Sequence, residues 1–438
     1  MTETRTPLSE VFAAAARTTQ RVLHGESLET AMDYEDVESF APQSRSAFRD
    51  YCAGSLRDWR ALEWLAQQSA GRTQFAPQVL GALLNVALYA LRSTKVAPHV
   101  VVSQAVAACE QLDALPAKGL LNGALRGFQR RADELERALT KQSPGVQWSY
   151  PDWWIARLKA DWPEQWQQIA QAGNRKPPMA LRVNVQKNTP ANWLAQSGLD
   201  ATPFGPAGVM LKRPIPASQL AGFNEGLVSI QDAGAQLCAE ALDLTEGMRV
   251  LDACSAPGGK TAALLERANI HLVAVDRDAA RQATTREGLA RLGLKADVKV
   301  ADVAHLPSWW DEVPFDRILL DAPCTASGVV RRHPDGKWLK RETDLTNLAA
   351  LQADLLASLW KTLKPGGLLA YITCSVFREE SDRQITRFLS ANPDAKLRSV
   401  VWPEGVVAVG MGQLLPAGAP NTHNHDGFFC ALLEKAAR

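Results

Sequence analysis

Arg249-Val250-Leu251-Asp252-Ala253-Cys254-Ser255-Ala256-Pro257-Gly258-Gly259-Lys260 passes from an apolar run into a glycine turn and then into a helical pattern that continues to Arg267. A short apolar run bounded by turn residues reads as a buried strand. The alternation repeats downstream. His271–Asp276 is a strand and Ala279–Leu292 a helix; Asp297–Val303 is a third strand. Phe315–Leu320 and Gly367–Ile372 are two more, separated by a helix over Leu345–Leu363, and Gly427–Leu433 reads as the last one. Strands alternating with helices predict an α/β domain with a mostly parallel, doubly wound, Rossmann-like sheet. In such sheets ligands bind outside the carboxyl ends of the strands.

Those ends carry the chemistry. The turn Cys254, Ser255, Ala256, Pro257, Gly258, Gly259, Lys260 joins the first strand to the first helix. Glycines let a backbone approach a ligand closely, and a helix N-terminus favours a carboxylate or phosphate. It is not a Walker A loop, because Cys254 stands where the first glycine belongs, and the dinucleotide pattern G-x-G-x-x-G is absent. Asp276 ends the second strand, where an acid can take ribose hydroxyls. Asp302, near the end of the third, can accept from an adenine amino group. A carboxylate loop, a ribose acid and a base acid together fit S-adenosylmethionine as cofactor.

Two further strings end strands: Asp321-Ala322-Pro323-Cys324 and Thr373-Cys374-Ser375. Carbon 5 of a pyrimidine is a poor nucleophile. A thiolate that adds to carbon 6 makes carbon 5 enamine-like, which is the logic of covalent catalysis. An acid near N3 should stabilise the adduct; Asp321 is close in sequence to Cys324 and is assigned to catalysis and to cofactor binding alike. One cysteine suffices for attack, and the second can assist product release.

The chain has 438 residues, 46% hydrophobic and 22% charged, with net charge +1. That length predicts two or three domains, and the charge excludes a polycation. No apolar stretch reaches bilayer length, and no hydrophobic signal region follows Met1-Thr2-Glu3-Thr4-Arg5, so a cytoplasmic location without membrane contact is expected. Seven cysteines without a C-x-x-C pair argue against a structural zinc, and no metal is expected. Cys52, Cys109 and Cys238 fall in helical patterns and read as small buried hydrophobes.

Residues 1–140 read as all helix, with Val79–Leu91 too long an apolar run for a strand and breakers at Pro42, Pro77, Pro98 and Pro116. Lys141–Gly145 reads as a linker. Residues 146–230 read as a linker and small α/β RNA-binding subdomain. Aromatics at Trp148–Trp154 are expected to pack, Ala180–Val185 alternates as a strand, and Gly208–Leu211 is too short to assign. Residues 231–438 form the α/β domain.

Cys254–Lys260, Asp321–Cys324 and Thr373–Ser375 resemble the motifs of the RNA 5-methylcytosine methyltransferases, the Sun or NOL family. The resemblance extends over about 200 C-terminal residues, through Gln231–Gln236, Ser327–Asp335 and Asp426–Phe429, and upstream to Pro178–Asn184. It implies a class I methyltransferase fold, S-adenosylmethionine as methyl donor, Cys374 as nucleophile and Cys324 as the release group. DNA cytosine methyltransferases attack with the Pro-Cys cysteine instead, so both cysteines together favour RNA. Ser255 departs from a usual alanine. Lys118–Arg126 is similar to a NusB-like, RNA-binding domain, a match looser than the C-terminal one. The combination looks like the members that methylate cytosine 967 of 16S ribosomal RNA.

Arg331-Arg332-His333-Pro334-Asp335-Gly336-Lys337-Trp338-Leu339-Lys340-Arg341 follows the Pro-Cys turn. Arg331, Arg332 and Lys337 are expected to hold RNA phosphates while an aromatic stacks on an unpaired base. A tRNA-directed enzyme of the same family is one alternative. Another is a non-catalytic ribosome-assembly factor, which would have no need of Cys374, Cys324 and Asp321 together.

Overall fold

A computed structural model describes residues 6–416 and 424–437. It divides into two compact units: residues up to 176 together with Val330–Arg341, and Pro177–Val329 together with residues from 342 on.

The first unit is helical. Prolines set its helix starts: Pro42 and Pro98 are the first residues of helices Pro42–Arg57 and Pro98–Ala108, and Pro77 precedes helix Gln78–Ser93. A proline costs nothing at a first turn whose N–H groups have no helical partner. Helix Gln78–Ser93 carries the long apolar run and buries Leu80 and every residue from Ala82 to Ala90, so its core comprises Phe12, Phe48, Leu62, Leu83, Val101 and Leu125 among others. The unit continues through the stretch read as a linker, with helices Pro144–Gln147, Asp152–Asp161 and Trp166–Gly173. Tyr150 and Trp154 are buried there, a packing role as expected.

The second unit holds two sheets. Strands β1 (Met179–Val183), β2 (Ala201–Phe204), β3 (Gly208–Leu211) and β4 (Val228–Ile230) form an antiparallel sheet in the order β2-β3-β1-β4. The four-residue β3 is a strand because it is paired on both sides, by β1 and β2. The larger sheet comprises β5 (Arg249–Ala253), β6 (His271–Asp276), β7 (Asp297–Val300), β8 (Phe315–Asp321), β9 (Leu363–Thr373), β10 (Ala395–Arg398), β11 (Gln413–Leu414) and β12 (Phe428–Lys435). Its order is β10-β12-β9-β8-β5-β6-β7, with β11 on β12. Strands β5 to β9 are parallel, and β12 returns antiparallel to β9. Successive side chains enter opposite faces: Leu251, Ile318 and Leu369 one core, Val250, Leu319 and Ala370 the other. Burial on both faces is why these strands read as unbroken apolar runs.

The chain winds outward in both directions from β5, toward β6 and toward β8. That reversal opens the crevice in which doubly wound sheets bind ligands. Boundaries differ from the sequence reading at a few ends. β7 stops at Val300 rather than Val303, and the helix before β9 starts at Glu342.

Candidate active site

The turn after β5 is built for close approach. Cys254 holds φ +59° and Gly258 φ +89°, a region that costs a side-chain-bearing residue energy. A Cβ on Gly258 would meet Thr285 Cγ2 at 2.7 Å, so only glycine fits. Helix Gly259–Arg267 starts directly behind it. Neighbours brace the turn. Ser255 N–H donates to Val275 O at 3.1 Å, Arg281 Nη2 donates to Ala256 O at 2.6 Å, and Gln282 Nε2 donates to Ser255 Oγ at 3.1 Å. Arg182, in the stretch Pro178–Asn184, donates to Gln231 and to Gly259 O at 2.8 Å and forms a buried ion pair with Glu266 at 2.8 Å.

Asp276 ends β6 and lies against this turn. Its Oδ2 accepts from Ala256 N–H at 3.1 Å and its Oδ1 from Asp278 N–H at 2.9 Å. Each oxygen keeps a lone pair. Asp252, one residue before the end of β5, is fully buried; Thr261 Oγ1 donates to its Oδ2 at 2.5 Å while its Oδ1 has no partner. Burial pushes its carboxyl up to about 7. The glycine cradle, the Asp276 carboxylate and the unpartnered Asp252 oxygen suit a small ligand with an amino acid end and a ribose. Asp302 lies two residues beyond β7, is exposed, and accepts from Ala304 N–H at 2.9 Å; the observed contact is a turn contact.

The other strand ends converge. Lys260 Nζ donates to Asp321 Oδ2 at 2.6 Å. Burial alone would lower Lys260, but the charge and hydrogen bond of Asp321 outweigh it and hold the ammonium above its usual value. β8 and β9 are neighbours in register, Asp321 opposite Ile372, and the turns that leave them bring Cys324 Sγ to 3.4 Å from Cys374 Sγ. Both cysteines are part exposed. The hydrogen bond with Cys374, then burial, pushes the Cys324 thiol well up. The Pro-Cys turn also passes close to the chain entering β12. Gly427 N–H donates to Gly328 O at 2.9 Å, and a Cβ on Gly328 would lie 2.1 Å from Gly427 O. Cys254 to Lys260, Asp276, Asp321, Cys324 and Cys374 thus all stand at carboxyl ends of β5, β6, β8 and β9.

The expected basic strip is corrected. Arg331 and Lys337 are 1% and 0% exposed. Within the helical unit, Lys337 Nζ donates to Arg57 O at 2.8 Å, Ser149 O at 3.0 Å and Asn174 Oδ1, and Arg57 Nε donates to Arg331 O at 2.8 Å. Burial pushes the Lys337 ammonium well down. A lysine enclosed by carbonyl oxygens has no donor left for a phosphate. Arg332 is half-buried. The sequence reading also passed over Glu380, Gln352 and Arg182, whose partners lie far away along the chain. Among the described residues no group of three or more His, Cys, Asp or Glu is placed to hold a metal, and no helix is long and apolar enough to cross a membrane.

The family described as 16S rRNA methyltransferase RsmB/F matches residues 239–434, an RsmF/B-like ferredoxin-like domain matches residues 150–218, and the NusB family matches residues 6–130. The ribosomal RNA small subunit methyltransferase B of Cronobacter sakazakii is 41% identical over 432 residues, 96% of this chain and 97% of that protein. The same-named protein of Yersinia enterocolitica is 41% identical with the same coverage. Among solved structures, PH0851 aligns over 98% of this chain and 99% of its own with a TM-score of 0.76 at 24% identity, a likeness of fold. A methyltransferase homologue from Pyrococcus horikoshii aligns over 67% of this chain and 100% of its own, with a TM-score of 0.57 at 30% identity. With a NusB-type helical domain ahead of a mostly parallel methyltransferase sheet, and with that identity across nearly its whole length, the chain belongs to the ribosomal RNA small subunit methyltransferase B family.

Proposed function

We propose that the protein transfers a methyl group from S-adenosylmethionine to carbon 5 of a cytosine in 16S ribosomal RNA, cytosine 967, through a covalent adduct with Cys374, and that it works in the cytoplasm. The observation that carries this reading is the 3.4 Å approach of Cys374 and Cys324 beside the Lys260–Asp321 pair. The names of the relatives support the RNA substrate.

The donor, when bound, would supply an electrophilic methyl group, its S–CH3 bond breaking to leave a neutral thioether. Around it, the turn Cys254–Lys260 with Gly258 and Gly259 receives the amino acid end, Asp276 takes the ribose hydroxyls and Asp302 the adenine side. Cys374, as thiolate, forms a bond to carbon 6 of the ring, and the electron pair of the ring's 5,6 double bond shifts toward carbon 5, which takes the methyl group. Asp321, held by Lys260, steadies the N3 side of the ring. Loss of the carbon 5 proton to a base restores the double bond as the C6–S bond breaks and its electrons return to Cys374. Cys324, in hydrogen-bond reach of the same sulfur, assists that release. A target cytosine held in a helix must first flip out.

The test is methylation of a 16S transcript with isotopically labelled donor, followed by nucleoside analysis and mapping. Label in 5-methylcytosine at position 967, absent with Cys374→Ala, is the expected result. Label on another base, or none on free or assembled RNA, would sink the reading.

A further inference from the structure

We propose that Glu380 is a positioning residue that locks the two cysteine-bearing turns against each other, an inference that rests on the methyl-transfer reading and deepens it. Glu380 follows Cys374 by six residues, in the 3-10 turn Arg378–Glu380, and is 0% exposed. Its Oε1 accepts from Thr325 N–H at 2.9 Å and from Gln352 Nε2 at 3.1 Å; its Oε2 accepts from Thr325 Oγ1 at 2.6 Å. Thr325 is the residue after Cys324. On the other flank of Cys324, Pro323 O accepts from the same Gln352 Nε2 at 2.8 Å. Both neighbours of Cys324 therefore hang from one carboxylate and one amide.

The Cys374 turn is tied to the same centre. Ser375 Oγ lies 3.4 Å from Thr325 Oγ1 and 2.9 Å from Ser327 Oγ, and it accepts from Phe377 N–H at 3.0 Å. Ser327 Oγ in turn accepts from Val376 N–H at 2.9 Å. Tyr371 OH lies 2.9 Å from both Gln352 Oε1 and Glu380 O. A carboxylate is costly to bury unless donors surround it. This one takes its donors from Thr325, beside Cys324, and from Gln352, and the Cys374 turn joins the same centre through Ser375 Oγ beside Thr325 Oγ1 and Ser327 Oγ, so its geometry is coupled to both turns. A glutamine keeps the shape but puts an NH2 where Oε2 accepts from the Thr325 hydroxyl, so that hydroxyl must turn round to accept, and the Thr325–Ser375 contact is rearranged with it. Catalysis of this kind loses about a hundred-fold for a displacement near 1 Å.

The experiment compares wild type, Glu380→Gln, Glu380→Asp and Thr325→Val in two assays. One is steady-state methylation of 16S transcript. The other is closure of a Cys324–Cys374 disulfide by diamide, which takes two electrons and two protons from the two thiols; the bond is located by peptide mapping. Folding is checked by thermal unfolding. Folded Glu380→Gln is expected to keep KM, to lose on the order of a hundred-fold in kcat, and to cross-link about ten-fold more slowly. Glu380→Asp, with both acceptor oxygens, should recover part of each. Thr325→Val loses only the hydroxyl bond, so it should move both readouts the same way by less, and it decides the matter if Glu380→Gln fails to fold. Where the wild type methylates, either readout unmoved in a folded variant overturns the proposal, and unslowed closure overturns it in any case, since a merely structural carboxylate would lower the unfolding temperature alone. Cross-linking needs neither RNA nor donor. Slowed closure in a chain that methylates nothing would leave Glu380 in its role and reject the methyl-transfer reading instead.

Discussion

Cys324 Sγ and Cys374 Sγ lie 3.4 Å apart although fifty positions separate them in the chain. Strand register brings them together. β8 and β9 run parallel with Asp321 opposite Ile372, so the residues that follow leave the sheet at the same level. Gly328 N–H then donates to Cys374 O at 2.9 Å, and Ala322 N–H to Ile372 O at 2.9 Å. The two sulfurs thus meet from two loops at the carboxyl end of the sheet.

If attack and release belong to different sulfurs, the two alanine variants must fail differently. Cys374→Ala should abolish methylation and give no covalent RNA adduct. Cys324→Ala should still form the C6–S bond and release product poorly, so a protein–RNA band should build up on a denaturing gel. The reverse pattern would assign attack to Cys324.

If Asp276 takes the ribose hydroxyls as well as bracing the turn, the two jobs can be separated. Both of its oxygens accept backbone N–H groups of the surrounding loops, so Asp276→Ala would loosen the turn as well as remove a ribose partner. Asp276→Asn keeps the size and one acceptor. Its affinity for S-adenosylmethionine should fall by about ten-fold, the size of one lost charged hydrogen bond, and its unfolding temperature should fall less than that of Asp276→Ala, since one of the two backbone N–H groups keeps its acceptor. Isothermal titration giving equal affinities would remove Asp276 from the ribose role.

What could be read from sequence was local. Gly258, Asp276, Cys324 and Cys374 each stand where an apolar strand meets a turn, so the residues flanking them announce their place. Glu380 sits in Arg378-Glu379-Glu380, which looks like any charged surface turn, and only the fold supplies Thr325 and Gln352 to enclose it. Lys337 misled for the same reason in reverse. Its basic neighbours suggest an RNA-facing strip, whereas its carbonyl partners come from residues 57 and 149. Short β3 escaped because its stability comes from strands on both sides rather than from its own pattern.

Asp252 should leave a signature in stability against pH. Burial raises its carboxyl from 3.8 to about 7, against the lowering by the Thr261 hydrogen bond. The folded value lies above the unfolded one, so the favourable contribution is complete below about pH 4 and is lost as pH rises toward 7. In that window the unfolded state has released a proton that the folded state keeps, and unfolding free energy falls by up to about 1.4 kcal/mol per pH unit. Asp252→Asn should flatten this fall. Urea unfolding of both proteins from pH 4.5 to 7.5 measures it; parallel curves would mean that Asp252 titrates as an ordinary carboxyl.

Lys337 offers the sharpest contrast between a surface and a core reading of the same basic run. Its ammonium donates to Arg57 O, Ser149 O and Asn174 Oδ1 and sits 3.9 Å from the Tyr150 ring centre. Lys337→Met fills the same channel and supplies no donor, which leaves three buried acceptors unpaired. The expected cost is on the order of 3–5 kcal/mol of unfolding free energy. RNA affinity, measured well below the unfolding temperature, should keep the wild-type dependence on salt, because the number of phosphate contacts is unchanged. A variant with wild-type stability and a shallower salt slope would return Lys337 to the RNA-facing surface.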